Sequence, residues 1–319
     1  MEPMWIYHHP DAFSHFTGPG HPERPERLAP LIETLEARAR AGEWEIVAPG
    51  EASLGDLTLL HAEPYIGEVR RTAGGGLSHL HTADCPVSPG TWRAALLAAG
   101  AAVEAAAAVM EGKTACALSV LRPPGHHARR ERAMGFCFFN GAALAAQALL
   151  ARHGLKRVAV LDWDAHHGNG TQEFFYATDR VHYASLHGHP SVTWPGTGHA
   201  RDRGTGVGEG YTLNVPMEPG VDDAEYQRRF VETVLPALEA ASPEFLIVSC
   251  GFDAHRDDPL VPNLALGDAT FRFLFRETAA WARRVCGGRM AAILEGGYDP
   301  AVVERLGTAQ AEAMAEGIG

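Results

Sequence analysis

Long apolar runs, paired cysteines and positive charge are all scarce in this 319-residue chain, and each shortage narrows what it can be. The longest apolar stretch, 94–110, is mostly alanine and is broken by Gly100 and Glu104, so it reads as a packed helix, not a membrane span. The five cysteines (Cys85, Cys116, Cys137, Cys250 and Cys286) are odd in number, far apart and form no Cys-x-x-Cys. That usage argues for reduced thiols in a cytoplasmic protein and against a disulfide frame. Cys137 and Cys250 adjoin candidate site residues, but a buried structural thiol is the commoner reading for both. Lys and Arg number 27 against 39 Asp and Glu, giving a formal charge of -12. This balance disfavours nucleic acid as a direct partner and suits cationic substrates. The N-terminus has neither a basic start nor an apolar core segment, so no signal peptide is expected. The glycine stretches at 74–76 and 204–210 do not follow strands in GxGxxG form and no GxxxxGK[ST] occurs, which weakens a nucleotide reading. Without linkers, charge blocks or repeats, one soluble domain over 1–319 is expected, as the hydrophobic fraction of 46% permits.

What is present begins with alternation. Trp5 to Tyr7 reads as an edge strand, and a helix follows from about Pro25 to Ala41, closed by Gly42. Helices are expected at 91–110 and 141–153 from their alanine content, and at 224–240, 269–285 and after Asp299-Pro300 from capping residues, with Asp222 or Asp223 and Asp268 as the caps. Four apolar runs lie among them. Thr114–Val120 leads to Arg122-Pro-Pro-Gly-His126-His127; Val158–Leu161 leads to Asp162-Trp-Asp164-Ala-His166. Phe245–Val248 leads to Asp253-Ala-His255, and Met290–Leu294 leads to Glu295-Gly-Gly-Tyr298. Strands alternating with helices predict an α/β fold, a mostly parallel sheet flanked by helices on both faces. In such sheets ligands bind outside the carboxyl ends of the strands, where all four polar clusters fall.

The run after Val158–Leu161 carries the first chemistry. If the extended chain continues, Asp162, Asp164 and His166 project to one side. A lone Asp-x-Asp after a strand is usually a capped loop, but acid-x-acid-x-His at the end of a buried strand needs a cation or a partner. Asp253, at another strand end, is the natural third ligand beside Asp164 and His166. Three protein ligands and an open position suit catalytic zinc, and the donor set also fits iron, manganese or cobalt. Near a metal, one of His126 and His127 can act as general base and the other as proton donor or electrostatic partner, with Asp162 and Asn169 available to accept their ring N–H bonds. Tyr298, after two glycines, is placed to meet a developing oxyanion, although core packing is the commoner role for such a tyrosine.

These segments, with Met134-Gly-Phe136-Cys-Phe-Phe-Asn140, the continuation to Gly168-Asn-Gly-Thr-Gln172, Pro195-Gly-Thr-Gly198 and Gly251-Phe-Asp253-Ala-His-Arg-Asp-Asp-Pro259, resemble the zinc-dependent histone deacetylases. The nearest likeness is to class II and its bacterial amidohydrolase relatives. The motifs run in family order from His21-Pro-Glu23 to Tyr298. The resemblance implies the arginase-deacetylase fold and hydrolysis of N-acetyl amides, most directly acetyl-lysine in proteins or peptides. It implies zinc on Asp164, His166 and Asp253, the His126–His127 pair, and Tyr298 as oxyanion donor. It further implies a tunnel walled by Phe136 and Trp194, with the Gly135 carbonyl, Leu260 near the rim and Asp84 holding the substrate backbone. A structural potassium ion would use Asp162, Asp164, His166, Ser185 and Leu186; a second would use Phe175, Thr178, Val181 and Tyr211. Asn169 departs from the class I acid, which should lower the proton affinity of His127. Trp194 stands where Phe is frequent and bears on acyl preference. Acetylpolyamine hydrolysis is the alternative, which the acidic composition suits and Leu260 at the rim opposes. A binuclear manganese ureohydrolase needs more carboxylates than the His166 loop supplies, and a binding protein without activity would be expected to lack catalytic residues that are all present.

Overall fold

The computed structural model describes residues 3–260 and 263–318. Eight strands form one sheet: β1 (Trp5–Tyr7), β2 (Glu45–Val47), β3 (Ala117–Ser119), β4 (Val158–Asp162), β5 (Val181–Gly188), β6 (Thr212–Met217), β7 (Leu246–Cys250) and β8 (Met290–Leu294). Their order is β2-β1-β3-β8-β7-β4-β5-β6, and every neighbouring pair is parallel. Strands β4, β7 and β8 are buried at every position, which is why they read as unbroken apolar runs. The four strands that end in polar clusters, β3, β8, β7 and β4, are adjacent in the middle of the sheet. Their carboxyl ends therefore converge on one place.

Ten helices cover the faces: α1 (Ala29–Arg40), α2 (Leu54–Leu57), α3 (Glu63–Arg71), α4 (Thr91–Met110), α5 (Gly141–Arg152), α6 (Asn169–Phe175), α7 (Asp223–Arg229), α8 (Leu235–Ala240), α9 (Asp268–Cys286) and α10 (Pro300–Ile318). One core packs α1, α7, α8, α9 and α10 on one face of the sheet; a second packs α3, α4 and α5 on the other. Helix α4 is long and apolar enough to cross a membrane, yet 72% of its apolar window is buried inside the protein.

Several expectations need correction. Strand β1 is not an edge: β2, whose exposed Glu45 disguised it, takes the outer position beside it. The helix expected from Pro25 starts as a 3₁₀ turn, Pro25–Arg27, and becomes α-helical at Ala29. The segment 224–240 is interrupted by a π turn at Phe230–Val234, before Pro236 removes a donor. Asp222 does cap α7 by accepting from the Glu225 N–H. Asp268, however, is the first residue of α9, and its carboxylate instead meets His255 and Arg305.

Candidate active site

The loop after β4 decides the site. The strand stops at Asp162, and the Asp164 N–H bends back to Asp162 Oδ1 at 3.1 Å. Asp164 and Asp162 both reach His126, Asp164 Oδ1 lying 3.7 Å from its Nε2, but Asp162 is the closer partner. It faces His126, whose Nδ1 lies 3.1 Å from Asp162 Oδ2, and it accepts from the Tyr183 hydroxyl at 3.0 Å. Asp164 and His166 also reach the end of β7. There, His166 Nδ1 is 2.8 Å from Asp253 Oδ2 and 3.3 Å from Asp164 Oδ1. One ligand atom from each of Asp164, His166 and Asp253 lies within 4.8 Å of the other two, the one such group found among the described residues.

This donor set fits a divalent cation. Two buried carboxylates and an imidazole nitrogen point at one spot, and mutual repulsion must be relieved by protons or by a metal. The protonation pattern says the same. Burial raises Asp253, and the neighbouring Asp164 charge raises it further. Burial alone would lower His166, but its bonds to Asp164 and Asp253 push it up to about 10. Nor is there room for a side chain behind the cluster: a Cβ on Gly296 would come 2.5 Å from Asp164 Oδ2 and 2.7 Å from Asp253 Oδ2.

The two histidines after β3 are buried side by side, with ring centres 3.9 Å apart and planes tilted by 45°. Their partners differ in charge. Burial opposes charging His126, but the Asp164 and Asp162 carboxylates raise it to about 10. His127 instead meets the Asn169 amide oxygen, 2.8 Å from Nδ1. That contact makes Nδ1 the donor and leaves Nε2 free to accept a proton. Burial, followed by repulsion from His126 and His166, holds His127 well below the ordinary histidine value. The Asp162 and Asn169 partnerships read from the sequence are therefore present as geometry.

A cavity of about 420 Å³ opens at His166, lined by Asp84, His127, Gly135, Phe136, His166, Trp194, Leu260 and Tyr298. The Trp194 ring stands edge-on to His127 at 4.6 Å, and Phe136 stands edge-on to Tyr298 at 5.7 Å. Gly135 and Phe136 both have positive φ, and a Cβ on Gly135 would lie 2.4 Å from the His127 ring and 2.5 Å from Trp194. Asp84 Oδ2 accepts from the Gly135 N–H at 3.1 Å; its Oδ1 is buried without a protein partner among the described residues. Of the residues named for potassium, Asp162 and Ser185 face each other across β4 and β5, next to Leu186. Thr178 donates its N–H to the Phe175 carbonyl and Tyr211 accepts from Tyr183, beside Val181 where β5 begins.

Sequence reasoning missed the supports. Glu295 is fully buried; its Oε2 accepts from the Gly125 and His126 N–H groups at 2.7 and 3.1 Å, and its Oε1 accepts from the Ser249 hydroxyl at 3.0 Å. Arg122 and Arg27 both reach the buried Glu23, and Arg27 also donates to the Glu295 and Gly297 carbonyls. Charged residues inside motifs were visible, but their partners are up to 270 positions away. Cys137 and Cys250 are buried, and burial raises both thiols well above the usual range, which fits structural roles.

Comparison with known proteins agrees with this geometry. Residues 21–314 match the histone deacetylase domain. The chain is 40% identical over 295 residues to the histone deacetylase-like amidohydrolase of Pseudomonas aeruginosa, covering 92% of this chain and 77% of that protein. It is 43% identical over 232 residues to an acetylpolyamine amidohydrolase of Burkholderia pseudomallei, covering 72% of this chain and 64% of that protein. The crystal structure of the HDA15 HD domain superposes with a TM-score of 0.92 and 35% identity, over 99% of this chain and 88% of that one. Sequence motifs, parallel sheet and strand-end cluster thus lead to one conclusion: this chain has the arginase-deacetylase fold and belongs to the histone deacetylase family.

Proposed function

We propose that the chain is a single-domain, zinc-dependent amidohydrolase that removes acetyl groups from lysine side chains of proteins or peptides. One observation carries the reading: the Asp164, His166 and Asp253 cluster lies at the base of a tunnel that also exposes His127 and Tyr298. A zinc ion held there, or iron or cobalt, would polarise the acyl carbonyl and acidify a water. The protein's own groups supply the rest. His127, neutral and with Nε2 as acceptor, takes the proton of the attacking water. His126, kept cationic by Asp162 and Asp164, stabilises negative charge and favours protonation of the leaving amine. Tyr298, whose ionisation is strongly opposed by burial and then by the Asp253 and Asp164 charges, stays a phenol and donates to the oxyanion. The aromatic walls Phe136 and Trp194 take the apolar stem of the substrate, and Asp84 with the Gly135 carbonyl holds its polar parts at the mouth.

Structural potassium on the two residue groups named for it, and a cytoplasmic setting suited to five unpaired buried thiols, belong to the same proposal. An acetylpolyamine substrate is the second reading, favoured by the net charge of -12. Against it, Asp84 is the one carboxylate lining the tunnel mouth among the described residues, where a polycation would call for several.

The test is turnover of an acetyl-lysine peptide and of acetylspermidine by enzyme stripped of metal and reloaded with zinc, iron or cobalt. Metal-dependent acetate release, faster on the peptide, is expected. Clear preference for the polyamine would sink the protein-deacetylase reading, and two manganese ions per chain would favour a ureohydrolase. Replacing Tyr298 by Phe should cost roughly two orders of magnitude in kcat; unchanged hydrolysis would overturn the mechanism.

A further inference from the structure

Asp258 lies on the loop between β7 and α9, beyond the cluster residue Asp253, and is 3% exposed. No cationic side chain answers its carboxylate among the described residues. Three backbone amides do instead. Oδ2 accepts from the Tyr298 N–H at 2.6 Å and the Asp299 N–H at 3.3 Å, and Oδ1 accepts from the Leu260 N–H at 2.9 Å. Tyr298 and Leu260 both line the tunnel, one at its base and one at its mouth. A buried carboxylate is costly unless fully hydrogen-bonded, and a neutral cap could hold a single amide as well. What the carboxylate adds is two accepting oxygens on one rigid group, so that a single side chain grips two separate segments.

The Tyr298 side chain needs that grip. The chain reaches it through Gly297 at φ +119°, and no protein group bonds its hydroxyl among the described residues. The ring is bounded by Phe136 at 5.7 Å and by the Arg27 guanidinium at 5.4 Å, so the aim of the hydroxyl is set from behind, at the backbone. The loop itself has another brace: His255 Nε2 lies 2.8 Å from Asp268 Oδ1, and Arg305 donates to Asp268 Oδ2 at 2.8 Å. Holding the loop in place therefore does not require Asp258.

We infer that Asp258 is a positioning residue that aims the Tyr298 hydroxyl at the acyl oxygen and couples it to the tunnel wall at Leu260. The inference rests on the reading of Tyr298 as oxyanion donor. In Asp258→Asn, one end of the side chain becomes a donor and must face an amide N–H, which frees either Leu260 or Tyr298 and leaves the size unchanged.

A double-mutant cycle tests it, using the full chain loaded with zinc and a short acetyl-lysine substrate. Asp258→Asn alone should lower kcat about ten- to a hundredfold and leave KM within about threefold. In the Tyr298→Phe background, where the hydroxyl is gone, the same change should cost no more than about twofold. A kcat within about twofold of the parent, or an equal loss in both backgrounds, overturns the inference while Tyr298→Phe keeps its own large defect. Full activity of Tyr298→Phe by itself overturns both this inference and the proposed mechanism. Should Asp258→Asn fail to fold, Asp258→Ala, which removes both accepting oxygens, carries the same cycle.

Discussion

Loading the metal cluster should release protons, and the structure says how many. His166 Nδ1 is 2.8 Å from Asp253 Oδ2 and 3.3 Å from Asp164 Oδ1, so without a cation its N–H is shared with two carboxylates. Burial alone would lower the imidazole, but those bonds bring it to about 10. Coordination through Nδ1 requires the unprotonated ring. Near pH 8, one proton must therefore leave His166 for each ion bound; at lower pH the raised Asp253 adds to the count. The sign follows: protons and metal compete, so apparent affinity falls as pH falls. It should change about tenfold per pH unit between about pH 7 and pH 9 for one proton exchanged. Calorimetric titration of chelator-stripped protein with zinc, in two buffers of different ionisation enthalpy, reads the proton count directly. A count of zero near pH 8, or affinity flat across that range, would refute His166 Nδ1 as a ligand. The readout needs no substrate, so it is independent of the assigned activity.

Other residues give separate tests. Asn169→Asp places a carboxylate where His127 Nδ1 now meets an amide oxygen at 2.8 Å. An anionic partner favours imidazolium, so the acidic limb of the kcat/KM profile should move up by about one pH unit or more; an unmoved limb would remove His127 as the base. Gly135→Ala, at φ +56° with its new Cβ 2.4 Å from the His127 ring, should lower kcat/KM about tenfold or more; unchanged kinetics would mean the tunnel wall yields. His182 is 5% exposed, neither ring nitrogen has a protein partner among the described residues, and burial lowers its pKa to about 4. Because the unfolded chain takes up this proton first, stability is lost as pH falls from about 6.5 toward about 4. His182→Leu should flatten that slope by about 1.4 kcal/mol per pH unit and stabilise by about 1–3 kcal/mol at neutral pH in urea unfolding; a less stable variant would contradict this.

The strand-end clusters were legible because strands buried on both faces, such as Val158–Leu161 and Met290–Leu294, must be continuously apolar and must stop where polar residues begin. Strands β5 and β6 were not legible. His182, Ser185 and His187 break the run in β5 although every position there is buried, and β6 alternates around Pro216 as the outermost strand of the sheet. Asp162 illustrates the limit at the site itself. Its residue type promised a polar role, but its pairing with His126, 36 positions away, was decided by how the loop after β3 packs beside β4. The notion of β1 as an edge failed for a related reason, since an exposed three-residue partner carries almost no pattern.

Local sequence by itself determined the long helices, the strands that end in polar clusters, the alternation that makes a parallel sheet, and a stock of acids and histidines at strand ends; each follows from side-chain periodicity within a few residues. Only the tertiary structure decided which of them meet. The order of β3, β8, β7 and β4 brings His166 to Asp253, His127 to Asn169 and Glu295 to His126. Those meetings set every unusual proton affinity in the site, because burial and a neighbour's charge are properties of the packed arrangement and not of any stretch of chain.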